Sequence, residues 1–428
     1  MSEKIDTLIE KARVAQQVIA DWPQEKVDMM VAAVGWELYK EENAVACATS
    51  AIEETQMGIY EHKLLKHKKK TLGTLRDLDG LKTAGVVEVD EEKGLIKIAK
   101  PVGVIAAVTP VTNPTSTPAG NGLAMLKTRN AVIFSAHPKS GKSTGMAIDF
   151  MRAGLEKVGA PADLVQSVPA ATKDDVVDLM AAADLVVATG SGALVKVAYS
   201  SGTPAYGVGA GNAICVIDET ADIDDAANKI FLSKTFDNAT SCSSENSLVI
   251  KDDIWDQLVP GLQAHGGYLC TADEKSKLKD ALWPDGEHLN PKIVAQPIMD
   301  IAKLAGLDVP ESTKFIMVLG DDPVESDKFS AEKLCPVVTL WKYTDFSEAI
   351  EYVERLTLNC GYGHSCGIHS TNDDHMLELG LECHVSRMMV RQPQCYGNSG
   401  NYDNGMPFTM TLGCGTWGGN ASSDNITW

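Results

Sequence analysis

The sequence predicts an α/β protein whose parallel sheet is covered by helices on both faces. Three observations carry this. Short apolar, β-branched runs recur from residue 101 onward, helical patterns separate them, and glycine-rich turns follow several of them. Near-continuous apolar strands alternating with helices bury both sheet faces. In such sheets ligands bind beyond the carboxyl ends of the strands.

The elements follow in order. Residues 1–70 read mainly as helices, because Ile5, Leu8, Ala12, Ala15 and Ile19, then Val27, Met30, Val31, Val34 and Leu38, recur at helical spacing. The run HKLLKHKKK (62–70) reads as a solvated helix face with Leu64 and Leu65 turned inward; phosphate binding is the other reading. VVEVD (86–90) and LIKIAK (95–100) alternate around EEKG and predict a hairpin. The pattern fits a hairpin that joins another subunit and one kept within its own domain equally. GVIAAV (103–108), AVIFS (131–135), LVQSV (164–168), DLVVAT (184–189) and AICVI (213–217) read as the parallel strands. STGMAIDFMRAGLEKVG (143–159) is the clearest intervening helix, closed by Gly159. Further on, TKFIMVL (313–319) and PVVTLWKY (336–343) read as strands and FSEAIEYVERL (346–356) as a helix. GYGHSCGIHS (361–370), YGNSGNYDNGMPF and LGCGTWGGN read as irregular and glycine-rich.

Composition narrows the function. The 428 residues suffice for two or three domains, with 44% hydrophobic and 22% charged residues, as in ordinary globular proteins. A net charge of −20 argues against nucleic acid or an anionic membrane as partner, so an anionic substrate needs a local basic pocket. No run approaches the ~18 apolar residues of a membrane span. The amino-terminal stretch lacks a signal peptide's apolar core. The ten cysteines include no CxxC, which fits free thiols in a reducing cytoplasm. Whether the protein works inside a microcompartment stays open. Cys360, Cys366, His364 and His369 cluster in sequence but match no familiar metal-ligand spacing, so no metal is expected.

Four motifs can carry chemistry. In FDNATSCSSENSLVI (236–250), Cys242 sits among small polar residues just before an apolar run that reads as a buried strand. A reachable thiol held in place can serve as a nucleophile. ATGSGALVKVAYSSG (188–202) follows a strand and opens a helix, placing Gly190, Ser191 and Gly192 where helix amides meet a pyrophosphate. Val195 replaces the last glycine of a full fingerprint. HPKSGKST (137–144) imitates a phosphate loop but has Ala136 where a glycine is needed. TPVTNPTSTP (109–118) presents Asn113 from a stiff loop, where its amide can face a developing oxyanion.

Taken together, PVGVIAAVTPVTNPTST, TGSGALVKVAYSSGTPAYGVGAGN, FDNATSCSSEN, EKLCPVV, GYGHS and TLGCGTWGGN run in order across nearly the whole chain. On these motifs the chain resembles the CoA-acylating branch of the aldehyde dehydrogenase superfamily. It is similar to the aldehyde half of bifunctional aldehyde–alcohol dehydrogenases and to microcompartment propionaldehyde and acetaldehyde dehydrogenases. The resemblance implies a Rossmann-type cofactor domain over residues 1–240, interrupted by an oligomerisation hairpin near 85–100. It implies a catalytic domain over 241–395, and a segment 396–428 returning to the cofactor domain and the subunit interface. A homodimer or higher homo-oligomer is expected.

The resemblance also assigns roles. Cys242 matches the nucleophile that forms a thiohemiacetal and then a thioester. Asn113, with the Cys242 backbone N–H, matches the oxyanion hole. Thr109, Pro110, His137, Gly190, Ser191, Gly209 and Glu332 match the cofactor contacts, Glu332 holding the nicotinamide ribose. His364 of GYGHS matches a histidine of the acylating branch that can take the CoA proton. NAD is the expected cofactor, although Lys139 after AVIFS also suits the 2′-phosphate of NADP; CoA is the co-substrate.

Three departures from the family refine the expectation. Hydrolytic relatives carry a glutamate where this chain has Gly207, so water attack on the thioester lacks its base and acyl transfer to a thiol is favoured. Arg391 stands where the branch usually has asparagine. Its planar fork suits an anionic aldehyde, with Gln392, Tyr396 and Asn398 as further donors. Sulfoacetaldehyde is the first choice, succinate semialdehyde the second, acetaldehyde the plain alternative. The chain also stops at Trp428, short of the usual tail, as a genuine short form or a truncated record. A hydrolytic aldehyde dehydrogenase and a silent nucleotide-binding or thiol-sensing subunit are the competing classes.

Overall fold

The computed structural model describes residues 2–410. Four helices lead the chain: α1 (Glu3–Ile19), α2 (Gln24–Tyr39), α3 (Glu41–Thr55) and α4 (Tyr60–Leu78). The periodic residues of α1 and α2 turn inward as their spacing predicts: Ile5, Ala12, Ala15, Ile19, Val27, Met30, Val31, Val34 and Leu38 are all buried. Their core is the first sheet.

The hairpin β1 (Gly85–Asp90) and β2 (Leu95–Ala99) forms where alternation predicts it, as an antiparallel pair. It bonds to no other strand among the described residues. Val86, Val89, Leu95, Ile96 and Ile98 are exposed on it.

The first sheet holds β3 (Val104–Thr109), β4 (Ala131–Ala136), β5 (Val165–Ser167), β6 (Leu185–Thr189) and β7 (Ala205–Val208). The spatial order is β5-β4-β3-β6-β7, all parallel. The chain winds outward from β3 one way and then from β6 the other way. A topological switch point therefore lies between β3 and β6, where loops diverge and leave a crevice. Around this sheet lie α5 (Ser116–Lys127), α6 (Gly141–Lys157), α7 (Lys173–Ala182) and α8 (Gly192–Tyr199). Gly159 follows α6 at φ +68°, the left-handed ending expected of it.

AICVI does not belong to that sheet. It is β8 (Ala213–Ile217), the first strand of a second parallel sheet. After α9 (Ile223–Thr235) come β9 (Glu245–Lys251), β10 (Gly267–Leu269), β11 (Phe315–Leu319), β12 (Val337–Tyr343), β13 (Gly363–His369) and β14 (Val385–Val390). Their order is β10-β11-β12-β9-β8-β13-β14. Apolar runs reveal a strand but not which sheet takes it, because both sheets bury both faces.

GYGHSCGIHS is also not irregular. Its residues 363–369 form β13, wholly buried between β8 and β14. Glycine and serine have low strand propensity, but a central position in a sheet overrides it. No described helix is long and apolar enough to cross a membrane. LGCGTWGGN, which helped carry the resemblance, lies outside the described residues, as does most of the segment 396–428.

Candidate functional site

A cavity of about 840 Å³ opens between the two sheets. The carboxyl ends of β3, β4 and β6 supply one wall: Thr109, Ser135, Ala136 and Thr189 line it. The second sheet contributes the turns before its strands: Cys242 ahead of β9, Glu332 ahead of β12, and Ala210 ahead of β8. The cleft thus has strand carboxyl ends on one side and amino ends on the other.

Cys242 is half-buried, and its Sγ lies 3.1 Å from His364 Nε2. His364 is the second residue of β13 and is fully buried. Its Nδ1 lies 2.8 Å from Ser365 Oγ. For Nε2 to accept the thiol proton, Nδ1 must carry the ring hydrogen and donate to Ser365. Burial, with the Glu332 carboxylate adding to it, pushes the Cys242 thiol up to about 12. Burial and the nearby Arg387 push the His364 imidazole down to about 4. The resting pair is a neutral thiol and a neutral imidazole.

The loop that aims Cys242 is held in an unusual backbone. Asp237, Asn238 and Ala239 have φ of +53°, +51° and +58°. Such residues cost of order 1–3 kcal/mol each unless their surroundings over-determine them. Asp237 supplies that anchoring: it accepts from Ile59 N at 2.8 Å, Thr240 Oγ1 at 2.6 Å and Lys66 Nζ at 2.7 Å, and pairs with Lys63 at 2.9 Å. The two ammonium groups hold its carboxyl well below the usual range against the effect of burial. Asn238 Nδ2 donates to the Ala295 carbonyl at 3.1 Å.

Glycine packs beneath the nucleophile. A Cβ on Gly211 would lie 1.8 Å from the Cys242 carbonyl oxygen, and one on Gly361 would lie 2.0 Å from the Gly211 oxygen. Gly211→Ala should therefore displace Cys242. A misplacement of about 1 Å costs on the order of 10²-fold in rate. The expected result is such a loss in kcat/KM; unchanged activity with an unchanged melting temperature would show that the loop tolerates the methyl group.

Asn113 lines the cavity. Lys66 donates to its Oδ1 at 2.9 Å, which fixes the amide's orientation. Its Nδ2 has only a long contact, 3.4 Å to Thr112 Oγ1, so it remains a usable donor.

The first-sheet wall carries unpartnered hydroxyls. Thr109 Oγ1, Thr117 Oγ1, Ser135 Oγ and Thr189 Oγ1 are buried without a hydrogen bond among the described residues. All four line the cavity, with Pro110, His137, Gly190, Ser191 and Gly209. Buried hydroxyls are normally satisfied, so this wall suits a ligand rich in hydroxyl and phosphate oxygens. Gly190 and Ser191 lead from the carboxyl end of β6 into the amino end of α8, beside the switch point. Glu332 accepts from Gly211 N at 3.0 Å, and burial pushes its carboxyl up to about 7. A carboxyl at that position can receive two ribose hydroxyls. The residues present fit a nicotinamide dinucleotide.

Two sequence expectations fail here. Arg391 and Gln392 do not line this cavity; with Asp222, Asp225, Lys229 and His369 they line a separate groove. Arg391 is exposed, and its N–H donates to the Ile368 carbonyl at the carboxyl end of β13. His364 lies at the other end of that strand. Four residues at ~3.3 Å each put roughly 13 Å between the two ends. Gln392 accepts from Asn404 Nδ2 at 2.9 Å. Tyr396 does reach the cavity, because Gln394 N donates to Glu245 at 3.0 Å and turns the chain back. Asn398 is fully buried and does not line the cavity.

The second failure is the lysine run. Lys63, Lys66 and Lys70 are buried, Lys66, Lys69 and Lys70 line the cavity, and Leu65 is 48% exposed. The signal was present: positions 63, 66 and 70 share one helical face. The Cys360, Cys366, His364 and His369 cluster holds no metal-like grouping; the one among the described residues is Asp218, Glu219 and His375.

Comparison with known proteins places these features. A family profile described as the aldehyde dehydrogenase family matches residues 1–276. The chain is 50% identical over 423 residues to a sulfoacetaldehyde dehydrogenase of an Acholeplasma species, covering 98% of this chain and 87% of that protein. It is 46% identical to an acylating sulfoacetaldehyde dehydrogenase of Bilophila wadsworthia, covering 98% and 91%. Among solved structures, an acetylating aldehyde dehydrogenase from Geobacillus thermoglucosidasius superposes with a TM-score of 0.94 at 34% identity, covering 99% and 94%. A propionaldehyde dehydrogenase of Rhodopseudomonas palustris, solved with bound CoA and an acylated cysteine, gives 0.85 at 26% identity, covering 99% and 95%.

Proposed function

The chain belongs to the aldehyde dehydrogenase family, and from that premise we propose that it oxidises a short anionic aldehyde, sulfoacetaldehyde first among them, to its acyl-CoA with NAD(P)⁺. Two near relatives are named acylating sulfoacetaldehyde dehydrogenases, solved relatives hold NADP⁺ or CoA, and NAD(P) and CoA are the cofactor and co-substrate. The observation that carries the reading is Cys242 on the cavity wall with His364 at 3.1 Å from its sulfur, together with glycine at 207.

The residues perform the reaction as follows. Cys242 attacks the aldehyde carbon while His364 Nε2 takes its proton. The oxyanion forms where Asn113 Nδ2 and backbone N–H groups can donate. The oxidised nicotinamide supplies the hydride acceptor that converts the adduct to a thioester. Thr109, Ser135, Thr189, Ser191 and Glu332 orient the dinucleotide. His364 releases that proton to solvent, takes another from the CoA thiol as its sulfur attacks the thioester, and returns it to the departing Cys242 sulfur, so each turnover releases one proton. Gly207 leaves no carboxylate to activate water; its N–H donates to Tyr199 Oη at 3.1 Å. A thiol needs less activation, so CoA captures the acyl group.

The chain acts as a homo-oligomer in this reading, a second copy covering the exposed apolar residues of the β1–β2 hairpin. Cytoplasmic placement is supported by its free thiols.

The test follows NAD(P)H formation with sulfoacetaldehyde, succinate semialdehyde and acetaldehyde, each with and without CoA. Strict CoA dependence with a preference for the sulfonate is expected. Equal turnover without CoA would move the protein to the hydrolytic class.

A further inference from the structure

Helix α4 brings a positive enclave to the cavity of a protein with a net charge of −20. Lys63, Lys66, Lys69 and Lys70 have one bonded carboxylate among them, Asp237, which pairs only with Lys63 at 2.9 Å and Lys66 at 2.7 Å. Lys66 also donates to Asn113 at 2.9 Å. Lys70 donates to the carbonyls of Ser399 and Gly400 at 2.8 and 2.9 Å and pairs with no carboxylate. Lys69 is half-buried and has no hydrogen-bond or ion-pair partner among the described residues; Asp403 acts on it only at longer range. Its ammonium stands 5.6 Å from the centre of the Tyr396 ring.

An ammonium has three donors. Lys66 and Lys70 each use two, and Lys69 none, within the described structure. Lys66, Lys69 and Lys70, which carry the spare donors, line the cavity together, beside Phe236 and Tyr396. Phe236 and Tyr396, with ring centres 4.6 Å apart, complete that part of the wall, and Lys66 lies 5.6 Å from Phe236. Asn113, bonded to Lys66, connects this part to the reaction centre. Burying ammonium groups without matching carboxylates is costly, and an incoming anion offsets that cost.

Resting on the acylating reading, we propose that Lys69, with Lys66 and Lys70 behind it, seats the anionic tail of the aldehyde, a sulfonate or carboxylate. Helix α4, rather than Arg391, then sets the preference for a charged substrate. Neutral short aldehydes fill the same aromatic part without engaging the ammonium groups.

The experiment compares kcat/KM for sulfoacetaldehyde and for propionaldehyde, with CoA and NAD⁺, in wild type, Lys69→Gln, Lys69→Arg and Arg391→Gln. Lys69→Gln should lower the sulfoacetaldehyde-to-propionaldehyde ratio by about 10–100-fold, the loss of one charge-assisted hydrogen bond. Lys69→Arg should keep the ratio within about threefold of wild type, and Arg391→Gln should leave it unchanged. Ethanesulfonate should compete with propionaldehyde in wild type and lose that competition in Lys69→Gln. Equal losses on both aldehydes, a raised KM for CoA with the ratio unchanged, or a ratio that collapses only in Arg391→Gln would each overturn the assignment. Wild type without CoA-dependent turnover of any aldehyde would instead overturn the acylating reading. Wild type that turns over propionaldehyde but does not favour the sulfonate overturns the lysine seat alone.

Discussion

Replacing Cys242 by alanine should abolish CoA-dependent NAD(P)H formation, by about 10⁴-fold or more, because no other thiol among the described residues can take its place. The described free cysteines other than Cys242 and Cys360 are buried. Cys360 and Cys395 line the cavity as well. Burial pushes the Cys360 thiol up to about 11, and no described imidazole accepts its proton. The variant should still fold, since alanine is smaller than cysteine and keeps the Gly211 contact open. It should still bind the dinucleotide, whose proposed contacts lie on the first-sheet wall and Glu332. The checks are steady-state NAD(P)H formation, the melting temperature, and nucleotide binding by fluorescence. Residual turnover above about one per cent of wild type would mean that the acyl group does not pass through Cys242.

His364→Ala should reduce turnover by about 10²–10⁴-fold, the usual value of a positioned general base. The loss should fall on kcat with both substrates saturating, since the imidazole does not line the binding walls. Alkylation of Cys242 by iodoacetamide should slow as well. The pH dependence distinguishes a proton acceptor from a packing residue. With its imidazole pushed down to about 4, His364 stays unprotonated through the neutral range, so the acid limb of thioester formation should fall well below pH 6. The same shift acts on stability. The unfolded chain takes up a proton near pH 6.5 and the folded one near 4, so the unfolded state binds the extra proton between those values. Stability attributable to His364 is therefore present above about pH 6.5 and declines as pH falls toward 4. An acid limb near pH 6.5, unchanged in His364→Ala, would remove this residue from the proton path.

Much of the architecture is legible from local pattern. The strands β3, β4, β6, β11 and β12 and the helices α1, α2 and α6 announce themselves because burial of both sheet faces demands apolar runs and helices demand a 3.6-residue period. The hairpin is legible from alternation alone. Cys242, Asn113, Glu332 and the Gly190 turn are legible only as an ordered set of motifs, since each by itself also fits an ordinary turn or core position.

Other features depended on partners far away in sequence. The buried face of α4 exists because Asp237 lies 171 residues beyond Lys66, and no local pattern marks an ammonium that will find its carboxylate there. β13 forms from weak strand formers because β8 and β14 receive it on both edges. Arg391 matched a pocket position in the motif, but β13 is long enough to carry it to the wrong end of the sheet. His364 was a candidate by motif, yet its task is set by a contact across 122 residues, 3.1 Å from the thiol. The sequence by itself determined most of the elements, the acyl-transfer chemistry and the glycine at 207. Only the tertiary structure decided which cations line the cavity, because burial and charge pairing are properties of the packed whole and leave no periodic trace in the chain.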